Sequence, residues 1–340
     1  MKLFRILLFP IAILYGLITS IRNGLFDIKV FKGQITKVSS IGVGNLSSGG
    51  TGKSIIVDYL ISIYQTSYSV AVLSRGYGRK STGFKLANSY SSAIKIGDEP
   101  FQYFKKYSNI KVAVGEDRIN AVNKILEQDS KINLILFDDI MQHRWMIPSQ
   151  LILTTTYSNP FFNDFIIPIG SLREFAFGKK RAQTIVVTKC PSDLSEQNRL
   201  DFKKRGKFLS NQDVFFTKIN YSKMIVNSYE KLNFDVLKNI KILLVTGIAD
   251  SSPLVQFLNF KNIYFDHLKY RDHFNYNSDS VKKIKKKAKN SFILTTEKDY
   301  GRLSPLLKTN KLFYIPVNLS FFSEEEEYEF KKRINSFIKT

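Results

Sequence analysis

The sequence predicts an α/β protein of two units, each a mostly parallel sheet layered with helices, behind an apolar N-terminal helix. Three observations carry this expectation. Strand-like and helix-like segments alternate from Val38 onward, a glycine-rich turn links the first strand to a helix, and the pattern lapses over residues 216–237 before it resumes. Strand–helix alternation implies parallel strands with helices on both faces. The 340 residues accommodate two cores at roughly 100–200 residues per domain. Hydrophobic residues at 44% and charged residues at 24% exclude a disordered chain.

The first element is the uncharged run Ile6–Ile21, preceded by Lys2 and Arg5 and followed by Arg22. Its 16 residues would rise about 24 Å as a helix, short of a ~30 Å hydrocarbon core. No small-x-small cleavage site follows, which argues against a signal peptide. Pro10, Tyr15 and the flanking cations suit a helix seated at a lipid boundary, with a buried core helix as the competing reading. Apolar segments at Val38–Val43, Val70–Leu73, Lys111–Val114, Ile132–Phe137, Leu151–Leu153 and Thr184–Thr188 read as strands, with helices at Ser54–Tyr64 and Arg118–Glu127 between them. After the polar stretch 216–237, read as an inter-domain connection, strands are expected at Ile240–Val245, Ile263–Phe265, Phe292–Leu294 and Leu312–Ile315. A helix is expected near Pro253–Leu258, and the acidic run Glu324–Glu327 suits the start of a last one.

With 51 Lys+Arg against 29 Asp+Glu, the net charge is +22. Such a balance points to nucleic acid, an anionic membrane face or a negatively charged substrate, unless residue bias inflates it. No nucleic-acid-binding motif appears, so nucleic acid is not expected as a partner. Six lysines in the eight positions Lys282–Lys289 read as a solvated helix face. One cysteine excludes a disulfide framework and any Cys-rich metal site, and three histidines leave few ways to build a histidine-ligated centre.

Five segments carry chemistry. Gly44-Asn45-Leu46-Ser47-Ser48-Gly49-Gly50-Thr51-Gly52-Lys53-Ser54 follows the first strand and opens a helix. Its glycines let successive backbone N–H groups face one anion, Lys53 suits β/γ-phosphates, and the Ser54 hydroxyl suits Mg²⁺. Ser47 stands where the strict phosphate-loop pattern has glycine. Asp138-Asp139 ends a strand, where a carboxylate would hold Mg²⁺, and Gln142-His143-Arg144 follows. In Gly97-Asp98-Glu99-Pro100, either acid serves equally as a helix cap or as a catalytic group. Ser74-Arg75-Gly76-Tyr77-Gly78-Arg79 and Gly170-Ser171-Leu172-Arg173-Glu174 place arginines on flexible loops, a composition that suits an anionic, sugar-bearing ligand. Taken without further context, His273 reads as a capping or surface histidine and His267 as structural.

In order along the chain, VGNLSSGGTGKS (43–54), SRGYGR (74–79), GDEP (97–100), GEDR (115–118), DDIMQHR (138–144), GSLRE (170–174), TKCP (188–191), TGIAD (246–250), RDHF (271–274) and TTEKD (295–299) resemble the tetraacyldisaccharide 4′-kinases. These enzymes phosphorylate the lipid A disaccharide precursor at the inner membrane, and their loop also lacks the first glycine. The resemblance implies ATP and Mg²⁺ as cofactors. Gly49, Gly50, Thr51, Gly52, Lys53 and Ser54 would cradle the nucleotide. Asp98 would act as the base, paired with His273 from the second domain. Asp138, Asp139 and Gln142 would organise metal and acceptor, with Ser54 also on the metal. Arg75, Tyr77, Arg118, Arg173 and Glu174 would contact the disaccharide 1-phosphate, with Gln142 on the acceptor side.

The resemblance further implies a monomer on the cytoplasmic side of the bacterial inner membrane. It divides the chain into an anchor (1–27), a P-loop kinase domain (28–215), a linker (216–237) and a smaller C-terminal α/β domain (238–340). Two positions depart from the pattern. Ile140 replaces the small residue usual after the paired aspartates, and the Leu151–Thr156 stretch ends in threonines where the family often has aspartate. Two other readings fit the residues: a soluble P-loop kinase or NTPase acting on another polyanion, and a membrane-bound, nucleotide-switched binding module.

Overall fold

The computed structural model describes residues 8–338, so Lys2 and Arg5 of the expected anchor lie outside the described residues. Helix α1 (Phe9–Asp27) carries proline in its first turn, where the missing N–H has no intrahelical partner to lose. It continues six residues past the apolar run, through Arg22 and Asn23 to Asp27.

Seven parallel strands form the body of a nine-stranded sheet: β1 (Ser39–Asn45), β2 (Val70–Ser74), β3 (Lys111–Val114), β4 (Leu134–Asp138), β5 (Gln150–Thr156), β6 (Thr184–Thr188) and β7 (Asp213–Tyr221). They lie in the order β7-β6-β5-β1-β4-β2-β3, and every pairing among them is parallel. β1, β2, β4 and β6 are buried along their whole length, which is why they read as continuous apolar runs rather than alternating ones. Helices α2 (Lys53–Tyr64), α3 (Asp98–Lys106), α4 (Arg118–Gln128) and α5 (Glu196–Gly206) are the crossovers. One core layer gathers Ile41, Val72, Leu136 and Ile152 against Leu60 of α2. The other gathers Leu73, Ile135, Phe137 and Leu153, and Ala12 of α1 belongs to it.

The second sheet holds β8 (Met224–Val226), β9 (Lys231–Asn233), β10 (Lys241–Thr246), β11 (Tyr264–Lys269), β12 (Ile293–Thr296) and β13 (Leu312–Ile315), in the order β9-β8-β13-β12-β10-β11. Its last four members are parallel and β8 and β9 antiparallel. Helices α6 (Ser252–Phe260), α7 (Ser278–Ala288) and α8 (Glu297–Leu307) cover it. On α7 the lysines are exposed while Ile284 and Ala288 are buried, a solvated basic face.

The sheets divide the chain differently from the linear partition expected. Phe216–Tyr221 completes β7 of the first sheet, and β8 and β9 already belong to the second, so residues 216–237 are not an open linker. After β13 the chain returns. β14 (Val317–Phe321) pairs antiparallel with β7, and α9 (Glu324–Asn335) packs Phe330 and Ile334 into the first core. Tyr59 and Tyr64 of α2 fasten it, with hydroxyls donating to Glu327 at 2.7 Å and Asn335 at 2.7 Å. The first unit is therefore completed by the C-terminal segment, because the edge of β7 and the apolar face of α2 would otherwise stay uncovered.

Candidate active site

The glycine-rich loop leaves β1, the strand between β4 and β5, so the C-terminal ends of three strands converge on it. Gly52 caps α2 in a left-handed conformation (φ 84°), and a Cβ there would meet Thr188 at 3.1 Å. Only glycine satisfies both conditions. Beneath the loop, Asn45 Nδ2 donates to Thr51 Oγ1 at 2.8 Å, and the Thr51 and Thr154 hydroxyls lie 2.8 Å apart. Thr188 Oγ1 donates to the Thr51 carbonyl at 2.8 Å. The threonines at the β5 end, which depart from the family's usual aspartate, thus brace the loop. Lys53 and Ser54 open α2 directly above. Burial lowers the pKa of Lys53, offset by Asp139, whose carboxylate is 3.7 Å away.

Asp138 ends β4, and the next residue, Asp139, adopts a left-handed backbone (φ 56°). Arg173 grips Asp139 in bidentate fashion at 3.0 and 2.8 Å. Burial would raise the Asp139 pKa, but Lys53 and Arg173 together hold it at about 2. Asp138 behaves oppositely. Burial, then the charges of Glu99 and Asp139, push it up to about 7. Ile140 packs where a Gly42 side chain would stand, 2.6 Å from that Cβ position. Gln142 reaches the Asn45 carbonyl (2.9 Å) and Glu174 (3.1 Å) through Nε2, and its Oε1 is buried without a protein partner.

Asp98 begins α3 without capping it, since the N-cap is Gly97 and no side chain caps the helix. One and a half turns on, Tyr103 touches the Ser54 carbonyl (3.4 Å), which sets α3 against the phosphate loop. From the second unit, His273 places Nδ1 2.8 Å from Asp98 Oδ2, and Arg302 binds both Asp98 oxygens, its Nε at 2.8 Å from Oδ1. Burial would raise the Asp98 pKa, but the hydrogen bonds from His273 and Arg302 hold it at about 2. Beside it Lys298 lies 3.2 Å from His273 Nε2 and 2.7 Å from Glu99. Tyr77 packs edge-on against the His273 ring at 5.4 Å, carried there because Gly76 and Gly97 press their loops together.

The residues expected on the acceptor divide into two groups. Arg75 and Tyr77 are exposed. Arg173 is partly exposed, turned to Asp139. Arg118 is 1% exposed and donates to the Gly115 carbonyl, so it acts from beneath the surface through its charge on Asp138 and Asp139. Glu174 is a correction. Its carboxylate, 3% exposed, accepts from Asn23 (2.8 Å), Gln142 (3.1 Å) and Arg181 (2.7 Å), so it is a buried brace, and its charge is the wrong sign for a phosphate. That brace reaches α1, where Arg22 also donates to the Gln142 carbonyl (3.0 Å) and Tyr15 to that of Arg173 (2.9 Å).

Sequence reasoning assigned no role to Arg302, Lys298, Asn45 or Asn23. The first two lie in the first and second turns of α8, directly after the parallel strand β12, and nothing in the sequence sets them apart from other helix-borne cations. His267 Nε2 lies 2.8 Å from the Thr246 hydroxyl. Among the described residues no three carboxylate, imidazole or thiolate groups converge as a closed metal-ligand set. Asp138, Asp139 and the Ser54 hydroxyl still offer oxygen donors at the end of β4 and the start of α2. Such a donor set fits Mg²⁺, which keeps waters and takes one or two carboxylates plus substrate phosphates.

A phosphate loop with its lysine, a strand-end carboxylate pair and a carboxylate–imidazole pair closing from a second α/β unit define a P-loop phosphotransferase. Comparison with known proteins narrows the class. Residues 4–339 match the model of the family described as tetraacyldisaccharide-1-P 4′-kinase, and the chain belongs to that family. A tetraacyldisaccharide 4′-kinase of Flavobacterium psychrophilum is 44% identical over 98% of this chain and 97% of its own. That of Bacteroides thetaiotaomicron is 34% identical over 98% and 93%. A crystal structure of LpxK from Aquifex aeolicus, an "apo" form in complex with ATP, is 27% identical with a TM-score of 0.79, covering 97% of this chain and 99% of that one.

Proposed function

We propose that the protein transfers the γ-phosphate of ATP to the 4′-hydroxyl of tetraacyldisaccharide 1-phosphate, the step that yields lipid IVA in lipopolysaccharide biosynthesis. The observation that carries the reading is the 2.8 Å contact of Asp98 with His273 from the other unit, beside the phosphate loop. The backbone of Gly49–Gly52 and the Lys53 ammonium hold the β- and γ-phosphates. Ser54, Asp138 and Asp139 would hold Mg²⁺, with Gln142 Oε1 available beside them; when bound, the ion neutralises charge on the transferring phosphoryl group. Asp98 takes the proton of the sugar hydroxyl as its oxygen bonds to the γ-phosphorus and the bond to the β–γ bridging oxygen breaks, leaving ADP. Arg75 and Tyr77 approach the disaccharide from the surface, and Arg173 positions Asp139 while contributing positive charge.

Helix α1 supports seating at the cytoplasmic face of the inner membrane. Phe9, Ile11, Ile13, Leu14, Leu17, Ile18 and Ile21 are each more than half exposed, while Ala12, Gly16, Asn23 and Phe26 pack inward. A helix with one packed face and one bare apolar face fits the bilayer boundary better than a span surrounded by lipid, and a four-chain acceptor could reach the site from the same plane. Asp98 separates the kinase reading from a nucleotide switch. Labelled γ-phosphate should pass to purified tetraacyldisaccharide 1-phosphate in detergent micelles, and Asp98→Asn should lose about 10²–10⁴-fold in rate. ATP hydrolysis equal in both proteins, with no lipid product, would defeat the reading.

A further inference from the structure

We propose that the chain carries a second lipid-contacting surface beyond α1, a platform of Ile28, Val30, Ile35, Trp145 and Ile147 whose occupant is an anionic bilayer. The platform presupposes the seating of α1 proposed above, and adds a contact that fixes how the protein stands on the membrane.

Two segments far apart in sequence build it. Just past α1, Gln34–Ile35 pairs in parallel with Met146–Ile147, a two-stranded sheet separate from the two large ones. The Gln34 N–H donates to the Trp145 carbonyl at 2.7 Å. The register sets Ile35 beside Ile147, and the period of two along a strand puts Trp145 on the same face. Residue 33 is glycine because a Cβ there would lie 2.6 Å from the Arg144 carbonyl oxygen. A sheet of two strands has no core of its own, and the outer face of this one is uncovered. Ile28, Val30 and Ile35 are 61–71% exposed, and Trp145 and Ile147 41–44%. Ile28 still donates its N–H to the Gly24 carbonyl at 2.9 Å, and it follows Ile21 by the same seven residues that separate Ile21 from Leu14. Two helical turns place all three on one stripe, so the bare face of α1 runs on into the platform. Single exposed apolar residues are ordinary, whereas a contiguous run of them marks an interaction site.

Two features select a bilayer over a protein partner. Trp145 packs on Phe26 at 4.9 Å and on Phe31 at 5.3 Å, so an aromatic base holds the half-exposed indole in place. An anchored indole, apolar with one N–H, suits the headgroup boundary. The charge is also one-sided. Residues 21–40 and 142–149 carry Arg22, Lys29, Lys32, Lys37 and Arg144 against a single acid, Asp27, which Arg144 already pairs at 2.7 Å. Lys29, Lys32 and Lys37 are exposed and alternate with the apolar residues, an arrangement that gives acyl chains the latter and anionic headgroups the former. A helix lying in the interface can roll about its axis, and a second contact past its C-terminal end removes that freedom. Trp145 closes the loop that starts at Asp139, so this contact holds the site's own loop against the lipid.

Trp145 is the only tryptophan of the chain, so the emission of full-length wild-type protein reports on the platform without a label or a variant. Vesicles of phosphatidylethanolamine and phosphatidylglycerol, free of acceptor, should shift that emission to the blue, and lipids brominated near the headgroup end of their acyl chains should quench it. Vesicles of phosphatidylcholine alone should give a weaker response. Val30→Ser with Ile35→Ser should weaken vesicle binding roughly 10-fold, the scale of withdrawing two exposed aliphatic side chains from lipid. The same variant should keep its Tm and its rate in detergent micelles, and transfer more slowly to acceptor embedded in vesicles. Wild-type protein that sediments with the vesicles while its emission stays unshifted and unquenched would overturn the platform and leave the seating of α1 standing. A shift that appears only when the tetraacyl acceptor is added would also overturn it, since the face would then hold the acyl chains of the substrate. Wild-type protein that does not sediment at all would remove the seating of α1 and the platform together.

Discussion

Each carboxylate of the site differs in what neutralises it, and that difference assigns the roles. Asp98 and Asp139 are held at about 2 by cationic partners, whereas Asp138, more deeply placed and flanked by Glu99 and Asp139, sits at about 7. For Asp98 the folded-state pKa lies below the unfolded value of about 3.9. Its clamp therefore stabilises the fold fully above that pH, and the contribution is lost as pH falls from about 4 toward about 2. Urea midpoints across that window should fall more steeply for the wild type than for Asp98→Asn, with a residual slope in the variant because Asp139 titrates with the same sign. Glu174 supplies a second prediction. Replacing it with glutamine would turn an amide donor toward three existing donors and strand Arg181, so stability should drop by about 3 kcal/mol or more, seen as a lower Tm. A residue that merely approached a substrate phosphate would show an unchanged Tm and tighter acceptor binding. Neither Arg302 nor Lys298 could be singled out beforehand. In a chain of 51 Lys+Arg, a basic residue on a helix reads as solvated, and only the fold shows that these two face acids some 200 positions away.

Elements were legible where their burial leaves a periodic or continuous trace. The parallel strands buried on both faces appear as apolar runs, and the phosphate loop announces itself through glycines whose backbone angles other residues rarely adopt. Pairing between distant strands leaves no such trace. β14 meets β7 about 100 residues earlier in the chain, and the segment Val317–Phe321 is short and mostly half-buried, without a clear period. The hydroxyl ladder under the loop was equally hidden, since threonines at a strand end look unremarkable until Thr154 and Thr188 are seen against Thr51. Thr154→Val should consequently remove an acceptor from the buried Thr51 hydroxyl and cost about 1–3 kcal/mol. Its larger effect should be a raised KM for ATP with kcat nearly retained, because the loop loses its support but none of its phosphate-facing groups. Equal loss of kcat and unchanged KM, measured at saturating acceptor, would count against that account.

Over the whole molecule, α1 carries two faces that the sequence displayed as one. Its apolar length was readable, but its inward face was not, because Tyr15, Arg22 and Asn23 resemble the polar flank of any anchor until they are found bonded to Arg173, Gln142 and Glu174. Those contacts tie the helix to the loops proposed to face the acceptor, and its bare apolar face is the one proposed to seat in the membrane, so substitutions can separate the two. Leu17→Asp with Ile21→Asp changes only exposed positions, both 56–58% accessible, and should leave Tm and ATP binding essentially unaltered. It should nevertheless abolish sedimentation with anionic vesicles, where burial of the apolar face and the attraction of the basic surface act together. Asn23→Ala should do the reverse: vesicle binding persists, while transfer to the disaccharide in micelles declines because Glu174 and Gln142 lose their tether. A loss of Tm in the outer-face variant would mean that the helix is held in the protein core on all sides, and the seating at the bilayer would have to be abandoned.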